Sequence, residues 1–249
     1  MIKHQLIRAA LKVLTLPLPV FLPGETPIFS ERFSIFSRLP EDTTLRTGLV
    51  KAYQTVFGEP PWKEEWPEEK ILIKLQRELT GHSFLVLMQG DEKFPVGGFS
   101  WGAVVPVGVL ETRIEQALLK QPTGLTKILQ NRGMDEVLYF DEFAILRLFR
   151  RGLEPIRFLL RPGLELGLGY QNRMHQALFW SIPNSKIVPI ALYVGFEPVF
   201  QFEAEGKEII FLLNPNFLPL LKIAQSVKGK RIAQLMKVIS RFLWQEAKS

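Results

Sequence analysis

The sequence has no cysteine and only three histidines, His4, His82 and His175. Without thiols, disulfides and cysteine-ligated zinc are excluded. The histidines are scattered along the chain. That argues against a histidine metal site and for satisfied or exposed imidazoles. No apolar run reaches the roughly 18 residues that a bilayer-spanning helix needs. Charged residues make up 22% of the chain and hydrophobic residues 47%, a balance that excludes a disordered chain. At 249 residues there is room for one medium domain with extensions.

What charge there is sits unevenly. The formal net charge is +6, and residues 216–249 carry seven Lys/Arg against Glu246 alone. A basic protein favours an anionic cofactor, a membrane surface or nucleic acid, and charge does not choose among them. At the other end, Ile2, Leu6, Ala10 and Leu14 recur at helical spacing with Lys3, Arg8 and Lys12 between them. This predicts a short amphipathic helix, broken by the prolines of residues 16–23. It reads as an arm packed on the domain or as a helix lying on a membrane surface. Gln5, Arg8 and Lys12 interrupt the apolar run and no small-x-small site follows. A secretory signal is therefore not expected, and the location expected is cytoplasmic. Near the C-terminus Ile232, Leu235, Met236, Ile239 and Leu243 face Lys230, Lys237 and Arg241. Such a basic amphipathic helix docks on its own domain, lies on an anionic membrane or pairs with a partner. The chain thus divides into an extension (1–32), a domain (33–213) and a basic tail (214–249). Nothing resembles a nucleic-acid module, and no aromatics are interleaved for base stacking.

Within the domain, Phe33 to Leu39 alternates as a strand, and Pro40 to Thr43 opens a helix with Asp42 or Thr43 as its cap. A second helix is expected from Glu64 onward, with acidic residues in its first turn. Trp62 and Trp66, around its start, are packing anchors or ligand contacts. Residues 83–88 and 96–105 form a hairpin pair. Gly97, Gly98 and Gly102 in the return strand imply a close neighbour, either a ligand or a bulge. Residues 106–136 read as an insertion with helical character. Residues 201–203 and 208–213 flank a turn at Glu205-Gly206 and make a closing hairpin.

The chain is organised around residues 137–202. A strand-like run from Val137 to Leu146 leads to Arg147, Arg150, Arg151 and Gly152, then to a helical stretch from about Leu153 to Gly169. A strand over 176–181, Asn184, a short helix and Gly195-Phe196 follow. A turn that brings cations and free N–H groups to a helix N-terminus suits a phosphate or pyrophosphate. Pro162-Gly163 implies a kink in that helix.

This stretch resembles the GNAT superfamily of acyl-CoA N-acyltransferases. The likeness lies in the strand Glu142-Phe-Ala-Ile145, the loop Arg150-Arg-Gly-Leu-Glu-Pro155, and Asn184 eleven residues before Gly195-Phe196. It covers roughly Phe33 to Phe211. The resemblance implies an α/β (α+β) fold with a mixed, mostly antiparallel, splayed central sheet flanked by helices. It implies transfer of an acyl group, in most members acetyl, from CoA to an amine by direct attack. Acetyl-CoA or another acyl-CoA is then the co-substrate, with no metal. Glu142 corresponds to the family's strand glutamate, the base; the other reading is an ion-pair partner of a nearby arginine. Donor binding would fall on Phe143, Ala144, Ile145, Leu146, Arg150, Arg151, Gly152, Leu153, Glu154 and Asn184. The insertion 106–136 would cover the acceptor cleft.

Departures from the pattern carry information. The family's leaving-group acid is a tyrosine four residues before Gly-Phe, where this chain has Ala191. Tyr193 is about 200° further round a helix. It is the remaining candidate acid, or else a core or surface tyrosine. Glu154 stands where the loop motif has glycine or alanine, and Pro155 lacks an N–H. Glu154 would repel a pyrophosphate or act as a first-turn helix residue. Strand alternation places Asp141 on the face opposite Glu142. Expected partners are a small-molecule or peptide amine acceptor, with peripheral membrane contact through the terminal helices and a homodimer left open. A GNAT-fold module that binds a ligand or partner without catalysis is the alternative.

Overall fold

The structure is a computed structural model that describes residues 33–225, apart from 61, 119, 151–153, 171–174 and 186. Both terminal amphipathic segments singled out above lie outside the described residues.

A single sheet holds seven strands: β1 (Phe33–Phe36), β2 (Ser83–Gln89), β3 (Val96–Pro106), β4 (Glu136–Ile145), β5 (Ala177–Ser181), β6 (Glu197–Ala204) and β7 (Lys207–Asn214). Their order is β1-β2-β3-β4-β5-β7-β6. Every neighbouring pair is antiparallel except β4 and β5. Those two run parallel and pair only at Leu138↔Ala177 and Tyr139↔Leu178. Beyond that point β4 keeps pairing with β3 as far as Ile145, and β5 pairs with β7 alone. The sheet therefore opens between its two central strands. This is the mixed, mostly antiparallel, splayed α/β sheet that the sequence resemblance implied.

Helices α1 (Thr43–Gly58), α2 (Glu68–Glu78), α3 (Val107–Leu118) and α4 (Leu125–Asn131) pack on one face. Helices α5 (Glu154–Gly169), α6 (Ile187–Tyr193) and α7 (Leu218–Gln225) pack on the other. Asp42 caps α1, its carboxylate accepting from the Leu45 N–H. The second helix begins at Glu68, later than expected. Pro67 holds Trp66 away from helical backbone, so residues 64–67 stay in the loop. The 106–136 insertion is the helix pair α3–α4, entered directly from β3. It buries Leu110, Ile114, Leu125 and Leu129 against Val105, Val137, Tyr139 and Phe211. On the far face, Phe217 just before α7 and Leu220, Leu221 and Ala224 within it join the core under α5.

Among the glycines required by close approach, two bear on the site. A Cβ on Gly102 would stand 2.1 Å from the Tyr139 carbonyl oxygen, at a bulge where the β3–β4 register slips. The neighbour implied by the glycine pattern is here the adjoining strand. A Cβ on Gly163 would stand 2.5 Å from the Phe84 ring. Together with Pro162 inside α5, this glycine lets α5 lie close on β2 and β4, which gives the Pro-Gly pair a packing role.

Candidate active site

The bulge decides the site. Opposite Trp101 and Gly102, β4 presents Glu142 and Phe140, and Asp141 is the extra residue. Phe140, Phe143 and Ile145 pack among α5–α7, while Ala144 and Leu146 pack under α1 and α2. Asp141 and Glu142 both face the α1–α3 side, as their partners show. The Arg113 guanidinium of α3 donates to both Asp141 oxygens, Nε to Oδ1 at 2.9 Å. The Tyr53 hydroxyl of α1 donates to Glu142 Oε1 at 3.1 Å. The expected placement of Asp141 on the opposite face is thus corrected, because the bulge suspends strand alternation at that point.

Lys74 and Glu78 complete the cluster. Lys74 Nζ lies 2.7 Å from Glu78 Oε1 and 3.4 Å from Glu142 Oε1. Glu78 Oε2 accepts from the Trp101 indole at 2.8 Å, and its backbone carbonyl accepts from Arg113. The side chains of Lys74, Glu78, Asp141 and Glu142 are each less than a tenth exposed. Glu142 is an ion-pair partner of a lysine, where the sequence suggested an arginine. Neither Lys74 nor Glu78 was singled out in the sequence. The signal was available: Ile71, Lys74, Leu75 and Glu78 form one helical stripe, and all four are buried.

Electrostatics follow from burial. Burial pushes the Glu142 carboxyl up to about 7, with Lys74 opposing and Glu78 assisting. Burial and Glu78 also push Asp141 up, while the bidentate Arg113 holds its charge. Burial works against the Lys74 ammonium, but Glu78 and Glu142 raise its affinity for the proton on balance. Burial raises Tyr53, and the neighbouring Glu142 adds to this, so its hydroxyl stays a donor. Taking Lys74 away would strand two buried carboxylates, a change worth about 3–5 kcal/mol.

The other expected residues scatter around this centre. Phe143, Ala144, Ile145 and Leu146 line the part of β4 and its exit that has no β5 partner. The Leu146 N–H is used by the Gly97 carbonyl. Arg147 and Arg150 are exposed on the 3-10 turn Arg147–Phe149 and just after it. Arg150 Nε donates back to the Ile145 carbonyl at 2.7 Å. Arg151, Gly152 and Leu153 lie outside the described residues, and α5 begins at Glu154. Asn184 is exposed in the turn between β5 and α6. Tyr193 ends α6 with 48% of its surface exposed.

Above the cluster the loop between α1 and α2 forms an aromatic strap. Trp66 packs edge-on to Tyr53 and donates to Glu64 at 2.9 Å. Trp62 meets Trp180 of β5 edge-on. Lys207 of β7 binds Glu64 at 2.6 Å and the Trp62 carbonyl at 3.2 Å. Both tryptophans thus act as packing anchors. A cleft of about 470 Å³ opens elsewhere, at the start of β4, between the end of α2 and α3. Glu78, Arg113, Arg77, Glu136 and Tyr170 are on its walls. Along β4 this lies about 30 Å from the arginine turn. Among the described residues no group of three or more His, Cys, Asp or Glu is placed to hold a metal ion.

No protein-family model and no curated sequence matches the chain. Solved structures do. Arabidopsis thaliana NAA60 in complex with a bisubstrate analogue is 10% identical, with a TM-score of 0.47 over 73% of this chain and 98% of its own. Mosquito arylalkylamine N-acetyltransferase like 5b is 14% identical, with a TM-score of 0.47 over 73% of this chain and 98% of its own. An N-acetyltransferase from Staphylococcus aureus Mu50 is 17% identical, with a TM-score of 0.41 over 72% of this chain and 98% of its own. Similarity at that level carries no argument about activity, which rests on the chain's own geometry.

Proposed function

We propose that this chain is a GNAT-type, acyl-CoA-dependent N-acyltransferase, an acetyltransferase in the first instance, acting on a small-molecule or peptide amine. One observation carries the reading. The central sheet opens between β4 and β5, and in the opened stretch β4 holds a buried glutamate whose carboxyl is raised to about 7. A base with affinity near ambient pH is suited to take a proton from an amine.

In the mechanism the acyl-CoA lies along the unpaired part of β4. Backbone groups of residues 143–145 meet the pantetheine arm, with Leu146, its N–H and carbonyl already bonded, at the end of that stretch, and Arg147, Arg150 and Arg151 meet the pyrophosphate before α5. The amine attacks the thioester carbonyl. Glu142 accepts its proton directly or through one water, and the CoA thiolate leaves. Tyr53 fixes the carboxylate's orientation through the 3.1 Å hydrogen bond. Tyr193 is the candidate proton donor to the leaving thiolate. A thiolate is a weak base that departs without help, so Tyr193→Phe should cost less than about tenfold.

The test is Glu142→Gln, assayed with acetyl-CoA against a panel of amines and short peptides. The amide keeps the Tyr53 hydrogen bond and removes the base. Turnover should fall by about 10²–10⁴-fold while acetyl-CoA binding is kept. Turnover within threefold of the parent removes Glu142 from the mechanism. A second reading, a ligand-binding module without catalysis, is favoured by the cleft lying away from the arginine turn. Failure to bind acetyl-CoA selects it.

A further inference from the structure

Acylating an ammonium group with an acyl-CoA gives an amide, CoASH and one proton that must reach solvent. Once Glu142 has taken that proton it is nine-tenths buried and capped by Tyr53 and the aromatic strap. Its other neighbour is Lys74, whose ammonium is shared with Glu78. Glu78, its side chain only 1% exposed, is one of the residues lining the 470 Å³ cleft between the end of α2 and α3, beside the more exposed Arg77.

We propose that Glu142, Lys74 and Glu78 form one proton-transfer unit, which carries the proton from the acyl-transfer site to solvent through the α2–α3 cleft. The inference rests on the reading of Glu142 as base and adds Lys74 and Glu78 as positioning and relay residues. Each step balances. Protonated Glu142 gives its proton to Lys74 Nζ as Lys74 gives one to Glu78 Oε1. Glu142 ends as carboxylate, Lys74 as ammonium and Glu78 as carboxylic acid, which then loses its proton to water in the cleft. The groups facing this unit are Tyr53 from α1, Arg77 from α2, Trp101 from β3, Arg113 from α3, and Tyr139 and Asp141 from β4. Arg113 and Arg77 line the cleft as well. They hold Glu78 through its carbonyl and its carboxylate, respectively. The Trp101 indole keeps Glu78 Oε2 turned inward and leaves Oε1 to Lys74 and Arg77.

The test needs no acceptor in its first arm. Carboxyl protonation of the full chain is followed by infrared difference spectroscopy from acid to alkaline pH, in the parent and in E142Q, E78Q and K74M, with folding checked by circular dichroism. K74R is the charge-conserving control. The parent should show a carboxyl band titrating near neutrality that E142Q loses. E78Q removes a like charge and should move its midpoint to lower pH. K74M removes the opposing cation and should move it to higher pH, and K74R should restore the parent's midpoint. Folded E78Q and K74M whose midpoints match the parent's overturn the unit. The second arm uses whichever amine supports turnover. E78Q should lower kcat by about tenfold or more and enlarge the solvent deuterium effect, and formate, small enough for the cleft, should restore part of the rate. E78Q at the parent's rate and isotope effect overturns the path. Activity retained in E142Q instead overturns the reading of Glu142 as base, so the two failures are distinguishable.

Discussion

Glu142 stores a cost that its neighbours only partly offset. Its folded carboxyl is raised from 4.5 to about 7. Between those values the folded chain binds more protons than the unfolded one, so this group's contribution to stability falls as pH rises. The loss is complete above about 7 and absent below about 4.5. The window corresponds to at most about 3 kcal/mol. Glu142→Gln should therefore melt progressively higher than the parent as pH is raised from 5 to 8, with Lys74 still held by Glu78. A melting-temperature difference that does not change with pH would show that Glu142 titrates at its ordinary value. Activity should run with the opposite slope, rising through about 7 as the base ionises. A residue placed for chemistry and one placed for stability are told apart by these opposed pH dependences.

At the scale of elements, the bulge and the helix stripe explain what the sequence did and did not disclose. Hydrophobic periodicity and turn residues located most strands and helices, and the order strand, turn, helix, strand, short helix was legible from Val137 onward. Asp141 was misplaced because alternation is a property of an unbroken strand. The bulge arises from the pairing of β4 with Gly102 on β3, which no local pattern around Asp141 encodes. Lys74 and Glu78 were missed for a related reason. Their spacing is also that of a solvated surface pair, although the stripe they share with Ile71 and Leu75 is the face that docks over Glu142. The sequence places the tail helix over residues 232–243, and α7 forms ahead of it, its Pro219 lying in the first turn where proline is well tolerated. The close approaches lead to a further expectation. Gly102→Ala meets a backbone carbonyl at 2.1 Å, whereas Gly163→Ala meets the edge of the Phe84 ring at 2.5 Å. The second should cost about 1–3 kcal/mol through overpacking, and the first more, since backbone cannot step aside. Denaturant midpoints of the two variants check this order, and equal midpoints would mean that β3 can shift at the bulge.

On the scale of the whole molecule, the two ends of β4 have different tasks. Its C-terminal end leaves the sheet open beside a turn carrying exposed arginines, and its N-terminal end meets the cleft. Three buried carboxylates, a lysine and an arginine connect them through the core. That is an expensive interior for a domain of this size, and the proton release proposed above for acyl transfer would account for it. The candidate base was legible as a strand glutamate. Its direct partners, Tyr53 and Lys74, come from α1 and α2, and their meeting over β4 becomes visible only when the chain is folded. The most direct test of the account is a calorimetric titration of the full chain with acetyl-CoA, beside an Arg150→Ala/Arg151→Ala double variant. The account predicts saturable binding in the micromolar range, weakened about tenfold or more in the variant through loss of two charge-assisted contacts. No heat of binding up to millimolar acetyl-CoA would contradict it.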